Sequence, residues 1–396
     1  MFSSKENKTR VEYLTVNNKS IPKYINEFWT PKQRQSCSLH EISYRACFKA
    51  ELPRFFINLL TQKDDVIYDS FSGRGTTVIE AGLMGRNIIS NDINPLSKIL
   101  TYPRFFVPTT EDVRSRLDKI PNKKIECDID LSMFYHPDTL SELLCLRNHL
   151  KDNQDSVDKW IQMIATNRLT GHSNYYFSVY TLPPNQAVTA ERQIAINKEK
   201  KQVPAYRNVK EIILKKHKSL ISDLTASNID NLEKIGKKGN FLCMDSRNSG
   251  IMENTVQLTV TSPPFLDVVQ YADDNWLRCW FNQINEKEIK ITQVKSLDEW
   301  CDFIKDVFKD LFRITKPNGY VAFEVGELKN GRFFRSKEKI KLEEYVIPLG
   351  MDVGFDCICA VINEQNFAKT SNIWGIKNNK TGTNSNRIVL FQKKGS

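Results

Sequence analysis

The ten residues YDSFSGRGTT, positions 68 to 77, constrain this chain more than any other feature, because they stand where an apolar strand turns straight into a helix. The strand is VIYDSF, the helix is the amphipathic TTVIEAGLMG closed by Gly85, and a second strand, NIISNDINP, runs to Asp92. A strand, a helix and a strand in that order make a parallel pair joined by a crossover, the unit of α/β sheets. Upstream, ISYRACFKAELPRFFINLL has helical periodicity and leads through TQKDD into the first strand.

The same rhythm returns late in the chain. GNFLCMD and VQLTVTSPPF read as strands, YADDNWLRCWF and SLDEWCDFIKDVFKDLFRIT as helices, the second stopped by Lys316-Pro317-Asn318-Gly319. YVAFEVG, GFDCICAVI and NRIVLFQKK supply the remaining strands. Together these predict an α/β fold: a doubly wound, mostly parallel, seven-stranded Rossmann-like sheet with a largely helical insertion. We divide the chain of 396 residues into an N-terminal extension, 1–35, a first catalytic part, 36–103, an inserted region, 104–238, and a second catalytic part, 239–396.

Gly73 and Gly75 allow a tight turn and close backbone approach to a ligand, and the helix start that follows presents free N–H groups. Asp92, at the end of the next strand, is placed to accept hydrogen bonds from both hydroxyls of a ribose. NAD, FAD and S-adenosylmethionine all fit that much. Val78 stands where the dinucleotide fingerprint requires its third glycine, and Thr76 and Thr77 intervene, which weakens the dinucleotide reading. For S-adenosylmethionine, Asp69 would lie near the methionine amino group and Asp245 near the adenine amino group.

Thr261-Ser262-Pro263-Pro264-Phe265 follows a strand directly. Two prolines stiffen the loop and leave carbonyls without local N–H partners, so the Ser262 oxygen and the Pro263 carbonyl can each accept one N–H of a base amino group while Phe265 stacks on the base. Accepting both hydrogens draws the nitrogen lone pair out of conjugation and toward an in-line methyl donor, which makes catalysis a matter of positioning and electrostatics. A proline-stiffened loop without chemistry is the plainer alternative.

Taken together, DSFSGRGTT, Asp92, Asp245, TSPPF, VGELKNG and TNSNRIVLF resemble the DNA amino-methyltransferases of restriction-modification systems over about 225 residues. The resemblance implies the methyltransferase version of the sheet, S-adenosylmethionine as cofactor, and a catalytic loop of Ser262, Pro263, Pro264 and Phe265 in the form associated with cytosine N4. It also implies cofactor contacts from Tyr44 in HEISYRACFKAELP and from Phe71, Gly73, Gly75 and Thr76, beside Asp69, Asp92 and Asp245. Two departures stand out: Ser70 replaces the family's usual proline, and the cofactor loop precedes the TSPPF loop, unlike the order common among cytosine N4 enzymes.

The expected partner is double-stranded DNA, with a cognate restriction endonuclease acting on the same site. Lys and Arg number 57 against 47 Asp and Glu, a net charge of +10, which suits a polyanion. An exocyclic amino group inside a duplex is out of reach, so the nucleotide must be flipped out. The insertion offers candidate DNA contacts in Arg168, His172, Asn185, Gln186, Lys200, Lys201 and Arg207, although a solvated helix face explains any single lysine equally well. An adenine N6 enzyme, an RNA amino-methyltransferase and a non-enzymatic DNA-binding protein on an adapted cofactor fold remain as alternatives.

Nine cysteines without a C-x-x-C pair or a Cys/His cluster predict no metal site and reduced thiols. The segment MFSSKENKTRVEYL lacks the apolar run of a signal peptide, and no stretch approaches the roughly 20 apolar residues of a membrane span, so we expect a cytoplasmic protein with no membrane partner.

Overall fold

In the computed structural model the described residues are 9–29, 37–45, 47–181, 187–264, 271–285, 288–289, 294, 296–328, 340–364 and 385–395. The strands are β1 (Arg10–Val16), β2 (Lys19–Asn26), β3 (Val66–Asp69), β4 (Asn87–Asn91), β5 (Asn240–Leu242), β6 (Val256–Thr261), β7 (Thr315–Val325), β8 (Glu327–Leu328), β9 (Ile340–Lys341), β10 (Asp356–Glu364) and β11 (Ser385–Gln392). The α-helices are α1 (Glu51–Leu60), α2 (Thr76–Leu83), α3 (Pro95–Thr101), α4 (Thr110–Lys119), α5 (Pro137–Asp152), α6 (Ser156–Arg168), α7 (Ala190–Lys200), α8 (Val209–Leu220), α9 (Ala226–Gly236), α10 (Tyr271–Phe281), α11 (Leu297–Ile314) and α12 (Glu343–Val353).

One sheet organises the molecule, in the order β1-β2-β10-β11-β7-β6-β3-β4-β5. From β7 to β5 all neighbours are parallel, whereas β11 is antiparallel to both β7 and β10. From β3 the chain runs to β4 and β5 on one side, then crosses back to β6 and β7 on the other. That reversal opens a crevice beyond the carboxyl ends of β3 and β6, the usual ligand position in open α/β sheets.

The sheet has nine strands, which corrects the expectation of seven. All seven expected strands are present, and the hairpin β1–β2 adds two more through β2, which runs parallel to β10. Its turn, Asn17-Asn18, has positive φ at both residues, the backbone twist that a two-residue hairpin requires. The hairpin escapes a hydrophobicity reading because only one face of β2 is buried. Ile21 and Ile25 occupy that face, with Lys23 between them held by Glu12 at 2.5 Å.

Strand periodicity divides the core in two. Ile67, Ile88, Ala322, Ile388 and Leu390 point into one apolar cluster, and Tyr68, Ile89, Val321, Phe323, Val389 and Phe391 point into the other. The second cluster is roofed by α11, whose Leu297, Trp300, Ile304, Val307, Phe308, Leu311 and Ile314 recur at helical spacing on its buried face. Ser296 caps its start by accepting from the Glu299 N–H. The helix ends at Ile314 and passes straight into β7, so Lys316–Gly319 lies inside the strand rather than in a terminating turn; Asn318 there has φ +62°.

Between β4 and β5 the described chain is mainly helical. Helices α4, α5, α6 and α8 pack on one another, and α9 returns to the sheet against α2 and β4. No helix among the described residues is long and apolar enough to cross a membrane.

Phe308 sits at the centre of the second core, with ring centroids 4.9 Å from Phe323 and 5.2 Å from Phe391. Phe308→Ala is expected to lower unfolding free energy by about 3–5 kcal/mol, while Tyr13→Ala on the exposed edge strand stays within about 0.5 kcal/mol. Urea unfolding of the two variants checks the contrast.

Candidate active site at the carboxyl ends of the parallel strands

Strand β3 ends at Asp69, β4 at Asn91 and β6 at Thr261, and the chain leaving each strand turns over a common cleft. Its lining includes Tyr44, Phe71, Gly73, Thr76, Asp92, Asp245, Ser262, Pro263 and Pro264, joined by Asn94 and Phe303, around a space of about 920 Å³ that opens to solvent.

The glycine loop is shaped by hydrogen bonds to its neighbours. Asp92 Oδ2 accepts from the Gly73 N–H at 2.8 Å and Oδ1 from the Asn94 N–H at 2.9 Å. Ser72 N–H donates to the Asn91 carbonyl at 2.9 Å, and Gly75 N–H to the Ser72 carbonyl at 2.6 Å. Gly75 has φ +76°, and a Cβ on it would stand 2.4 Å from Cγ2 of Thr101, so both backbone and space require glycine here. A Cβ on Gly73, where φ is +52°, would meet the Tyr44 ring at 3.4 Å; the ring therefore closes over the loop. Burial pushes the Asp92 carboxyl up to about 6 against the lowering effect of its two N–H donors.

Beneath the cleft, Asp69 and Thr261 tie the two halves of the sheet together. Thr261 Oγ1 donates to Asp69 Oδ1 at 2.7 Å and accepts from the Phe71 N–H at 3.2 Å. Thr77 donates to the Val260 carbonyl at 3.0 Å, so the helix start of the glycine loop is fastened to β6 as well. Asp69 is fully buried, and desolvation raises its carboxyl to about 7 despite the opposing hydrogen bonds from Thr261, Phe71 and Thr77. It forms the floor of the site and does not line it.

The loop after β6 is held from the other side. Trp300 of α11 donates its indole N–H to the Pro264 carbonyl at 3.1 Å, while Ser262 remains half-buried and Pro263 is buried. Asp245 is gripped by Arg247, whose Nη2 lies 2.5 Å from Oδ2, and this pairing holds the carboxyl below its ordinary value. Ser246 donates to the Ser70 carbonyl at 2.6 Å, joining this turn to the glycine loop in place of the rigidity a proline at position 70 would bring.

Sequence reasoning placed Tyr44, Phe71, Gly73, Thr76, Asp92, Asp245 and Ser262–Pro264 at a site, and the structure brings these together around one cleft. Gly75 supports the loop from behind. Phe265 lies outside the described residues, as do Asn185 and Gln186. Trp300 and Phe303 lie in the segment read as a helix, SLDEWCDFIKDVFKDLFRIT, and were not singled out; their spacing on α11 carries no sign that one fastens the Pro264 carbonyl and the other faces Phe71 at 6.1 Å.

The insertion residues divide differently. Arg168 is buried, donates to Asn167 at 2.6 Å and lies 4.2 Å over the Tyr176 ring; Arg207 donates to the carbonyls of Ser173 and Tyr176. Both fasten the aromatic loop from within. His172, Lys200 and Lys201 are exposed, as are Tyr175 and the Lys215 that stacks on it at 4.1 Å. No group of three or more His, Cys, Asp or Glu among the described residues is arranged to hold a metal ion.

Comparison with known proteins bears on the front of this site. A family described as DNA methylase matches residues 2–99, which contain Tyr44, the glycine loop and Asp92 but end before Ser262. The chain is 41% identical over 61 residues to the type II methyltransferase M.PvuII of Proteus hauseri, covering 15% of this chain and 18% of that protein. Among solved structures, a putative DNA modification methylase of Thermus thermophilus, complexed with S-adenosyl-L-methionine, is 19% identical with a TM-score of 0.25 over 38% of this chain and 52% of its own. TrmN from Thermus thermophilus is 10% identical with a TM-score of 0.34, covering 90% of this chain and 51% of its own. The chain thus spans about a fifth of the curated relative and about half of these structures.

Because the Asp69 carboxyl is raised in the folded state, its neutral form is the stable one, and its contribution to stability is full below about pH 4 and lost as pH rises through 7. The ligand-free protein is expected to lose on the order of 2–3 kcal/mol from this group between pH 5 and 8. Denaturant midpoints measured across that window should fall with pH in the wild type and fall less steeply in Asp69→Asn, where the raised carboxyl of Asp92 still contributes.

Proposed function

We propose that this chain is an S-adenosylmethionine-dependent DNA methyltransferase acting on an exocyclic amino group, with cytosine N4 as the target. The observation that carries the reading is a single cleft that joins Gly73, Asp92 and Asp245 to the acceptor loop Ser262-Pro263-Pro264. The match of residues 2–99 to a DNA methylase family supports it.

The residues present fit the cofactor. Asp92 turns a carboxylate toward the cleft at the end of β4, Gly73 has no side chain to block close approach, and the aromatic rings of Tyr44, Phe71 and Phe303 supply apolar walls. Asp92 would hold the ribose hydroxyls, Asp245 the adenine amino group, and Tyr44 with Gly73 the methionine portion. When bound, the cofactor supplies an electrophilic methyl group. The protein's own contribution is to place the base: Ser262 and Pro263 accept the amino hydrogens, and the Trp300 bond to Pro264 keeps those acceptors from drifting.

The serine at position 262 supports cytosine over adenine through the resemblance of the loop. Exposed His172, Lys200, Lys201 and Lys215 offer phosphate and groove contacts for a duplex from which the target base is flipped. Methylation of this kind would protect DNA from a cognate restriction endonuclease in the cytoplasm.

Incubation with unmethylated duplex DNA and labelled S-adenosylmethionine, followed by nucleoside mass spectrometry, tests the reading. N4-methylcytosine is the expected product. N6-methyladenine would retain the chemistry and overturn the base assignment; label accepted only by RNA would overturn the substrate class.

A further inference from the structure

Tyr44, whose ring closes over Gly73, belongs to neither a helix nor a strand, so side chains from elsewhere must hold the backbone around it. The glycine loop supplies one set. Arg74 donates through Nη1 to the His40 and Ile42 carbonyls at 3.0 Å each and through Nη2 to the Phe48 carbonyl at 3.3 Å. The second set comes from α6 and α10. At the Ser43 carbonyl, next to Tyr44 in the chain, two donors converge: Asn167 Nδ2 of α6 at 3.0 Å and Arg278 Nη2 of α10 at 3.1 Å. The Arg278 guanidinium also lies 5.9 Å from the centre of the Tyr44 ring, and Arg45 is paired with Asp274 of α10.

We propose that Asn167 and Arg278 are positioning residues for cofactor binding: by holding the Ser43 carbonyl between them they set the Tyr44 ring over Gly73 as a wall of the cofactor site. This rests on the reading of the cleft as an S-adenosylmethionine site with Tyr44 as a contact. Helix α6 belongs to the mainly helical stretch between β4 and β5, and α10 follows the loop Ser262–Pro264, so three distant parts of the chain meet at one carbonyl. Neither donor is among the residues that line the cleft. Their effect on the cofactor must therefore pass through Tyr44.

The arrangement is more exacting than packing alone requires. Arg278 is buried and also donates through Nη1 to Asn275 Oδ1 at 3.1 Å, so its fork meets two neutral oxygens. Burying a guanidinium on neutral acceptors is costly, and an apolar side chain would fill the same space without that cost. What the planar fork adds is direction, because it fixes the carbonyl and faces the ring at once. Asn167 is oriented with equal care: Arg168 Nη2 donates to its Oδ1 at 2.6 Å, which leaves the amide N–H group as the one turned to Ser43. Arg168 lies in turn 4.2 Å over the Tyr176 ring. The two helices are also joined away from Ser43, where Gln162 of α6 donates to Asn282, just past the end of α10, at 2.9 Å. That contact separates the pairing of the helices from the placement of Tyr44.

The test measures binding of S-adenosylmethionine to the full chain by titration calorimetry, with folding of each variant verified by thermal melting. Asn167→Asp keeps the oxygen that accepts from Arg168 and removes the donor to Ser43; Arg278→Lys keeps the charge and removes the fork. Asn167→Ala, which removes the donor without adding charge, takes their place where they do not fold. Each is expected to raise the dissociation constant about 5- to 50-fold, against less than about twofold for Gln162→Ala. Tyr44→Ala should weaken binding to a similar degree, and in its background Asn167→Asp should add less than about twofold, because the residue through which it acts is gone. Wild-type affinity in the folded variants, or the same loss from Asn167→Asp with and without Tyr44, would overturn the positioning role and leave the cofactor site intact. So would a loss in Gln162→Ala equal to that in Asn167→Asp, since general loosening of the helix pair would then explain both. A wild type that does not bind S-adenosylmethionine, or a Tyr44→Ala that binds it as tightly as wild type, would overturn the underlying reading and the inference together.

Discussion

The adjacency of β3 and β6 is the constraint on which the rest of the site depends. Glycine loop and proline loop are separated by nearly two hundred positions in sequence, yet Thr261 Oγ1 touches both Asp69 and the Phe71 N–H, and Thr77 reaches the Val260 carbonyl. Strand order reverses at this seam, so neither loop is covered by a crossover helix and both open onto the same cleft. The seam is itself polar and buried. Asp69 is tolerated there because it accepts several hydrogen bonds and because its neutral form remains accessible near neutral pH.

Much of this was legible in the sequence, and the legible parts share a physical cause. Strands buried on both faces appear as continuous apolar runs, and their ends are marked by a glycine, an aspartate or a proline whose backbone behaviour is local. That is why Gly73, Asp92, Asp245 and Ser262–Pro264, which line one cleft, stand out as candidates in the sequence itself. The hairpin β1–β2 was not legible, because a strand buried on one face with Lys23 pointing inward looks polar. Trp300 was equally hidden: a buried tryptophan on a helix stripe satisfies the core pattern, and only the fold reveals that its indole N–H meets the Pro264 carbonyl.

The basic insertion shows the limit of reading function from charge. Arg168, Arg207, Lys210 and Lys216 are spent on internal bonds, to Asn167, to the Ser173 and Tyr176 carbonyls, to the Ile120 carbonyl and to Glu41 respectively. A long cationic side chain that meets a carbonyl within the protein carries the same letter as one that meets a phosphate. What distinguishes them is exposure, and on that criterion His172, Lys200, Lys201 and Lys215 remain facing solvent.

The acceptor loop illustrates how a short segment is made rigid enough for chemistry that depends on direction. Two prolines restrict the backbone torsions, Trp300 fixes the Pro264 carbonyl, and Thr261, the residue before the serine, is bonded to Asp69 of the neighbouring strand. Each restraint acts on a different degree of freedom, so removing any one leaves a loop that is still folded but less well aimed. An acceptor displaced by an ångström loses much of its directional value, because hydrogen-bond energy falls steeply with angle as well as distance. Restraints of this kind come from elements far apart in sequence, β3 on one side and α11 on the other, and it is the sheet that holds those elements in register.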